Sequence, residues 1–219
     1  MLADIFPLVA LRLTTPRLEL RLPAPEELAE LGRLAANGVH DPAVMPFTVP
    51  WTDQPPADIA RSVVQHHWLR LGDWSPEDWA LNLAVFRDGT VVGQQSLSAR
   101  DFAVTREVGT GSWLGKAHQG QGIGTEMRAA VLELAFTGLG AEEAVSAAFA
   151  DNTASQTVSR ELGYRADGTG RRVVRGALAI ERRLRLTRAD WLRHRRVRVG
   201  IDSLPPCLPL LGIAAAQTP

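Results

Sequence analysis

The chain contains, at residues 111–128, the segment GSWLGKAHQGQGIGTEMR. Alternating residues up to Trp113-Leu114 predict the end of a strand, the glycines predict a tight loop, and residues from Gly122 onward predict a helix. Glycine lets the backbone adopt positive φ and approach a ligand closely. Successive N–H groups at a helix start attract an anion, and the helix dipole strengthens that attraction. The segment therefore predicts a phosphate or pyrophosphate site, or, without a ligand, a helix start with turn glycines.

Two common phosphate-binding motifs do not fit this segment. A Walker loop needs Gly-Lys-Ser/Thr after four spacer residues, whereas here Gly124-Thr125 has no lysine between its members. A dinucleotide fingerprint needs Gly-x-Gly-x-x-Gly after the first strand of a βαβ unit. The spacing here is Gly120-x-Gly122-x-Gly124, and it follows a predicted antiparallel meander. The phosphate ligand is therefore expected to belong to another class.

The elements around this segment predict one mixed α+β domain. Predicted strands cover residues 15–22, 79–87, 90–99, 107–114, 144–150 and 178–186, and predicted helices cover residues 25–36, 56–71, 122–139, 153–162 and 188–195. Asp88-Gly89 is a two-residue hairpin signal between the second and third strands. Three prolines keep the loop His40–Trp51 irregular, so its large apolar side chains either pack into the core or line a site.

Composition excludes several classes of protein. The chain has 219 residues, 45% of them hydrophobic and 22% charged, which excludes disorder over most of its length. No apolar run reaches about 18 residues, so no membrane span is predicted. The first residues lack the features of a signal peptide, and a cytoplasmic location is expected. The single cysteine, Cys207, excludes an internal disulfide, and no metal site is predicted.

Charge is divided unevenly along the chain. Acidic residues are in excess over residues 1–159 and basic residues over residues 160–219, with eight arginines between Arg182 and Arg198. Such a segment could bind nucleic acid. Its arginines alternate with Leu184, Leu186 and Leu192, as on solvated faces of strands and helices, and this favours a structural role. Nucleic acid is therefore an unlikely partner.

Three segments resemble one known family. The first is Gln119-x-x-Gly122-x-Gly124 after a strand, the second is DNTASQTVSRELGY at residues 151–164, and the third is LTTPRL at residues 13–18. Together they resemble the GCN5-related N-acetyltransferase (GNAT) superfamily, in its RimJ/RimL-type branch. The chain is similar to an actinobacterial-type subgroup in which some members transfer succinyl as well as acetyl groups. The resemblance covers about residues 11–190.

The resemblance implies a fold and a cofactor site. The fold would be the GNAT fold, with a mixed central sheet, an antiparallel N-terminal meander, flanking helices and a splay between the strands at 107–114 and 144–150. Acetyl-CoA or succinyl-CoA would be the co-substrate, and no metal would be needed. Asn152 would fix the pantetheine amide or the loop, Ser155 would lie near the sulfur, and the backbone of Trp113 and Leu114 would pair with the pantetheine arm. The pyrophosphate would be held by Gln119, Gly120, Gln121, Gly122, Ile123, Gly124 and Thr125.

The implied reaction is direct attack of an amine on a thioester, which needs a proton acceptor, an oxyanion donor and assistance to the leaving thiolate. The backbone N–H of Leu114 is the candidate oxyanion donor. Ser155 is the candidate acid, or else a first-turn residue beside the Asn152 helix cap. Glu107 is the candidate base. The alternatives to it are Asp101, His40, His118 and ordered water, whereas His66 and His67 are expected to be packing or surface residues.

The sequence therefore predicts an N-acyltransferase that moves an acetyl or succinyl group to a primary amine of a protein or a small molecule. The alternative is a non-catalytic CoA-binding regulatory module. Small residues at 109–112 leave room for an acyl group larger than acetyl, which Thr110, Ser112 or His40 could contact. Side chains expected along the acceptor path are Met45, Phe47, Trp51 and Trp68. We expect one catalytic domain over residues 1–200 and a Pro-rich apolar tail over residues 201–219, packed on its own domain or on a second subunit of a homodimer.

Overall fold

The computed structural model describes residues 1–214, and its strands form one nine-stranded sheet. The strands are β1 (Arg12–Thr14), β2 (Glu19–Arg21), β3 (Asp78–Arg87), β4 (Thr90–Arg100), β5 (Glu107–Leu114), β6 (Glu143–Phe149), β7 (Arg165–Val174), β8 (Ala177–Thr187) and β9 (Gly200–Asp202). The α-helices are α1 (Leu2–Ile5), α2 (Pro25–Ala36), α3 (Pro56–Gly72), α4 (Phe102–Thr105), α5 (Ile123–Glu133), α6 (Thr153–Glu161) and α7 (Arg188–His194). The α+β class and the mixed central sheet predicted from the sequence are confirmed.

The strand order is β7-β8-β6-β5-β4-β3-β2-β1-β9. Every neighbouring pair is antiparallel except β5 and β6, which run parallel. The β3–β4 turn is the predicted two-residue hairpin, with Asp88 and Gly89 at φ of 50° and 75°. Two positive φ angles match the twist of the flanking strands, which explains the preference for Asp-Gly at this turn.

The two faces of the sheet carry separate apolar layers. Helices α2 and α3 pack on one face, where Leu31 and Val63 meet Phe86 of β3. Helix α5 packs on the other face, where Met127 and Val131 join Leu81 and Leu83 in the larger core. Strand residues alternate between these faces, so β5 presents Gly109, Gly111 and Trp113 toward α2 and α3. Both faces are covered around the middle of β5, which is the strand that leads into the glycine loop.

Strands β5 and β6 separate soon after they meet. Their pairing covers only Glu107–Gly109 against Glu143–Val145, although both strands continue beyond it. From Thr110 onward the β6-facing edge of β5 has no strand partner among residues 1–214, and a backbone edge of this kind can pair with an extended ligand. The expected splay between these two strands is therefore confirmed.

The sequence-based assignment of strands was wrong at residues 15–22, and it missed β7 and the three-residue strand β9. The predicted strand at 15–22 holds only the strand β2 and the turn that connects it to β1, and Thr15 N–H closes that turn by donating to Leu18 O at 2.9 Å. Strand β7 was missed because its sequence, RADGTGRRVV, has three arginines and two glycines and little apolar alternation. It forms the exposed edge of the sheet, where it needs only β8 as a neighbour.

The predicted helix at 122–139 is shorter than expected as an α-helix. Helix α5 ends at Glu133 and continues as one π-helical turn over Leu134–Gly138. This turn lies in the core, where Phe136 stacks on Trp191 of α7 with ring centroids 6.1 Å apart. Wider helical turns of this kind commonly accommodate such local packing.

Residues 200–213 pack against the rest of the chain. Strand β9 pairs with β1, Cys207 and Leu211 are fully buried, and the Trp74 indole donates to Leu210 O at 2.8 Å. This packing covers the described part of the predicted tail, whose residues 215–219 lie outside the described range. The boundary between the catalytic domain and the tail at residue 200 stays a prediction, as does the homodimer. No helix within residues 1–214 is long and apolar enough to cross a membrane.

Several arginines of the basic C-terminal region form local ion pairs. Arg185 of β8 contacts Glu143 and Asp167 on the two adjacent strands and Glu107 on β5, one strand further away. Arg193 pairs with Asp190 and Arg195 with Glu133. These contacts agree with the structural interpretation of the arginines, while the absence of nucleic acid among the partners stays a prediction.

Candidate active site

A cleft of about 860 Å³ opens where β5 and β6 separate. Its walls come from β5, β6, the start of α5, the start of α6 and the loop before α3. Of the residues predicted to bind a cofactor, those that line it are Trp113, Leu114, Gln119, Gly120, Gly122, Gly124, Thr125, Asn152 and Ser155. The structure therefore brings most of the predicted set into one place, although these residues come from two segments of the chain.

The glycine loop provides one end of the cleft. Gly120 and Gly122 have φ of 72° and 75°, a conformation that favours glycine, and Gly122 is the N-cap of α5. The first N–H groups of α5 have no partner within the helix and lie at the positive end of its dipole. Gln119 fixes the loop, because its Nε2 donates to Val39 O at 2.7 Å and to Leu114 O at 3.0 Å. These two hydrogen bonds therefore hold the loop in a conformation that leaves the start of α5 facing the cleft.

Two residues of the predicted set do not line the cleft. Ile123 is buried in the core. The Gln121 side chain lies outside the cleft, where its Oε1 accepts from Arg87 at 2.7 Å and its Nε2 donates to Ala117 O at 3.0 Å. Only the backbone of these two residues could contact a ligand in the cleft, so their predicted role stays a prediction.

The loop is braced by the β1–β2 turn, which the sequence analysis did not identify as a support. Arg17 Nε donates to Glu126 of α5 at 2.6 Å, Thr15 Oγ1 donates to the same carboxylate at 2.6 Å, and Arg17 Nη1 donates to Gln121 O at 3.1 Å. Glu126 is buried and Arg17 is partly exposed, so the ion pair joins α5 to the surface turn. The signal available in the sequence was LTTPRL at residues 13–18, which holds both donors.

Helix α6 begins on the opposite wall. Asn152 is its N-cap, and the Asn152 Oδ1 accepts from the Ser155 N–H at 3.1 Å. Thr125, at the start of α5, donates from Oγ1 to Glu161 of α6 at 2.9 Å. Both helix starts thus line the same cleft, and the start of α5 is tied to the end of α6. The catalytic and cofactor roles of Asn152 and Ser155 stay predictions, because the cap alone explains their hydrogen bond.

The predicted base does not line this cleft. Glu107 accepts from Arg185 Nη1 at 2.6 Å and lines a second cavity of about 630 Å³ under α3. This second cavity ends on β5 at Gly109, and the cleft begins at the next residue, Thr110. The two spaces therefore approach each other where β5 leaves β6. Glu107 lies on the α3 side of that point, and its role as a base stays a prediction.

The histidines differ in environment. His40 lines the cleft, and its Nε2 is 2.7 Å from Thr52 Oγ1. His67 is buried against Gln94 at 3.0 Å, and burial lowers its pKa to about 4, so its predicted packing role is confirmed. His66 lines the second cavity, where burial lowers its pKa. His118 is not among the residues that line either space.

The loop over residues 40–53, before α3, covers the cleft. We call this loop the cover. Phe47 lies between His40 and Trp51, with centroid distances of 5.6 and 5.2 Å, and Trp51 contacts Trp113 of β5 at 5.9 Å. Phe47 and Trp51 therefore line the cleft, as one alternative for this loop predicted. Trp68, which was expected along the same path, is 62% exposed on α3 and lies outside both spaces.

The cover also contacts the β7–β8 end of the sheet. Met45 packs on Phe149 of β6 and Val174 of β7. Arg175, in the β7–β8 turn, donates from Nε to Asp53 at 2.7 Å and from Nη1 to Pro42 O at 3.0 Å. The Arg175 guanidinium lowers the pKa of the Asp53 carboxyl. The loop thus bridges from α2 to the β7–β8 hairpin across the separated strands.

Arg128 of α5 is a further cleft residue that the sequence analysis missed. Its side chain is 4% exposed, Nη1 donates to Ser159 Oγ at 2.8 Å, and Nη2 donates to Ser112 Oγ at 3.3 Å. Burial lowers the pKa of the guanidinium, and Nε has no hydrogen-bond partner among residues 1–214. No local pattern marks it, because its neighbours come from β5 and α6.

Separated parallel strands beside a glycine loop and a helix start define a CoA-dependent acyltransferase fold. The sequence over residues 17–165 matches the family model described as an acetyltransferase (GNAT) domain. The chain belongs to the GNAT acetyltransferase family.

Solved structures share this fold at low sequence identity. RimJ from Mycobacterium smegmatis, in complex with CoA-disulfide, superposes with a TM-score of 0.65 at 19% identity, covering 85% of this chain and 94% of that one. A GCN5-related N-acetyltransferase from Brucella melitensis gives 0.68 at 19%, covering 84% and 81%. The ribosomal-protein α-N-acetyltransferase RimL, in complex with coenzyme A, gives 0.64 at 18%, covering 79% and 95%.

Proposed function

We propose that this protein transfers an acetyl or succinyl group from coenzyme A to a primary amine by direct attack of the amine on the thioester. The observation that carries the proposal is the cleft itself, in which a free strand edge leads away from a glycine loop at a helix start. A pyrophosphate matches the loop, and an extended amide-bearing arm matches the strand edge. CoA-bound RimJ and RimL supply the analogy for this ligand.

Different groups of the protein would bind different parts of coenzyme A along the cleft. The loop N–H groups from Gly120 to Thr125 would bind the pyrophosphate, with Gln119 holding the loop in place. The β5 backbone at Trp113 and Leu114 would pair with the pantetheine arm, and the Leu114 N–H would donate to the thioester oxygen. A donor fixed before the reaction stabilises negative charge that develops on that oxygen.

Proton transfer from the amine is proposed to run through water. Glu107 is ion-paired with Arg185 and lies on the α3 side of the gap, so a direct proton transfer from an amine in the cleft to Glu107 is not supported. Glu107 could act through water in the second cavity, which approaches the cleft at Gly109 and Thr110. Ser155 is proposed to act near the sulfur, either directly or through water.

The donor and the acceptor are also proposals. Small residues on β5, among them Gly111 and Ser112, line the cleft and leave room for an acyl group larger than acetyl. The acceptor is proposed to be an amine of a protein or a small molecule, entering between the α2–α3 region and the sheet. A cytoplasmic location and a homodimer complete the proposal.

Calorimetry with acetyl-CoA, succinyl-CoA and CoA tests the site, and turnover of each acyl-CoA with a panel of amines tests the activity. We expect micromolar affinity and release of free CoA thiol only when an amine is present. Failure of all three ligands to bind would refute the CoA site. Binding without acylation of any amine would favour a non-catalytic CoA-binding module, and turnover of acetyl-CoA alone would exclude succinyl transfer.

A further inference from the structure

Arg128 is a buried cation without a counter-charge in the structure. Its guanidinium bonds only two serine hydroxyls, of Ser159 and Ser112, and its Nε has no partner within residues 1–214. Burial lowers the pKa of the guanidinium, and within residues 1–214 no carboxylate offsets that effect. A buried charge without a partner is costly, so such a group normally faces an anion. The cleft that Arg128 lines is where that anion would be bound.

The position of Arg128 indicates which anion this would be. Arg128 lies five residues into α5, about 7 Å along the helix axis from its first residue, and therefore deeper than the phosphate loop. It contacts Ser112, which precedes the Trp113-Leu114 backbone on β5. Between its pyrophosphate and its sulfur, coenzyme A carries only a hydroxyl and two amides. Negative charge beyond the phosphates can therefore appear only at the reacting end.

We propose that Arg128 stabilises the leaving sulfur of coenzyme A as a thiolate, so that the sulfur can leave before it is protonated and Ser155 or water need only protonate it afterwards. During transfer the amine nitrogen bonds to the carbonyl carbon, the carbon–sulfur bond breaks, and its electron pair goes to sulfur. The amine proton passes to water. An opposite charge within a few ångströms lowers the pKa of a thiol, which makes the thiolate a better leaving group. This inference rests on the proposed CoA site.

The test compares CoA with acetyl-CoA, because these ligands differ only at the sulfur. Dissociation constants of both are measured by calorimetry from about pH 6 to about pH 9, because a thiol begins to ionise within this range. If the bound thiol has the lower pKa, CoA gains affinity relative to acetyl-CoA as the pH rises. We expect at least a ~fivefold gain in the wild-type protein, because a thiol pKa lowered by about one unit from about 8.5 gives about an eightfold gain by about pH 9.

Three variants separate charge from packing. Arg128→Met keeps most of the side-chain volume without the charge, and it should leave the CoA to acetyl-CoA ratio constant with pH. Arg128→Lys should retain part of the rise, which a purely structural role would not require. Arg17→Met removes a cation that braces the phosphate loop, and it should change both affinities together and keep the wild-type rise.

Two results would overturn the inference while leaving the CoA site intact. One is a CoA to acetyl-CoA affinity ratio that does not change with pH in the wild-type protein. This measurement does not depend on whether any variant folds. The other is an Arg128→Met protein whose ratio rises as in the wild type. If neither CoA nor acetyl-CoA binds at any pH, the proposed function fails as well, so the two failures are distinguishable.

Discussion

Replacing Gly120 by alanine separates the strain of the phosphate loop from its role in binding. Gly120 has φ of 72°, and an alanine Cβ there would meet no heavy atom within 4 Å. Gly89, in the β3–β4 hairpin outside the cleft, has φ of 75° and equally open surroundings, so Gly89→Ala is a matched control. The left-handed conformation costs a non-glycine residue about 1–2 kcal/mol. The stiffer unfolded chain offsets about 0.4–1 kcal/mol of that cost.

Both variants should therefore lose about 1 kcal/mol of unfolding free energy, measured by urea denaturation. Only Gly120→Ala places a methyl group in the cleft, where the loop N–H groups would meet the pyrophosphate. Its dissociation constant for acetyl-CoA, measured by calorimetry, should rise at least ~tenfold, or about 1.4 kcal/mol. Wild-type affinity in Gly120→Ala, or an equal loss in Gly89→Ala, would refute the assignment of this loop to the phosphate.

Further predictions concern stability and the cover of the cleft. His67 is buried with a pKa of about 4 against 6.5 when unfolded, so unfolding free energy should fall by about 3 kcal/mol as the pH drops from 6.5 to 4, and His67→Gln should reduce that fall. Asn152→Ala removes the α6 cap and should cost about 1 kcal/mol in urea denaturation, whereas Asn152→Asp should retain most of it. Arg175→Ala releases the cover from the β7–β8 turn and should speed acetyl-CoA dissociation in stopped flow, and an unchanged rate would show that the cover does not control release. Deleting residues 203–219 uncovers the core beside Trp74 and should lower the melting temperature and the solubility, and an unchanged melting temperature would contradict that packing.

Local patterns in the sequence correctly predicted the elements that depend mainly on residues close together along the chain. Helix α2 occupies its predicted range, strand β5 likewise, and the Asp88-Gly89 turn has the backbone angles that its residues favour. The pattern failed for β7, since an edge strand exposed to solvent needs no apolar alternation. It also failed at residues 15–22, where the β1–β2 turn has the same apolar alternation as the strand β2 that follows it.

Local sequence patterns likewise predicted some features of the candidate site and missed others. The glycine loop and the Asn152 cap are local features, and their residue types alone predicted an anion site and a helix start. The position of Glu107 depends on Arg185, 78 residues later in the chain, and no spacing rule connects the two. A carboxylate at the start of a strand looks equally suited to catalysis or to an ion pair until its neighbour is known.

The sequence by itself therefore determined the α+β class, the order of most elements, the family and the segment that would bind a phosphate. Those properties follow from backbone preferences and apolar periodicity within a few residues. Only the tertiary structure decided that Arg175 joins the cover to the far hairpin, that Glu107 lies outside the cleft and that Arg128 lies buried within it. Each of these depends on which distant segments the sheet order brings together, and burial and charge pairing exist only after the chain has folded.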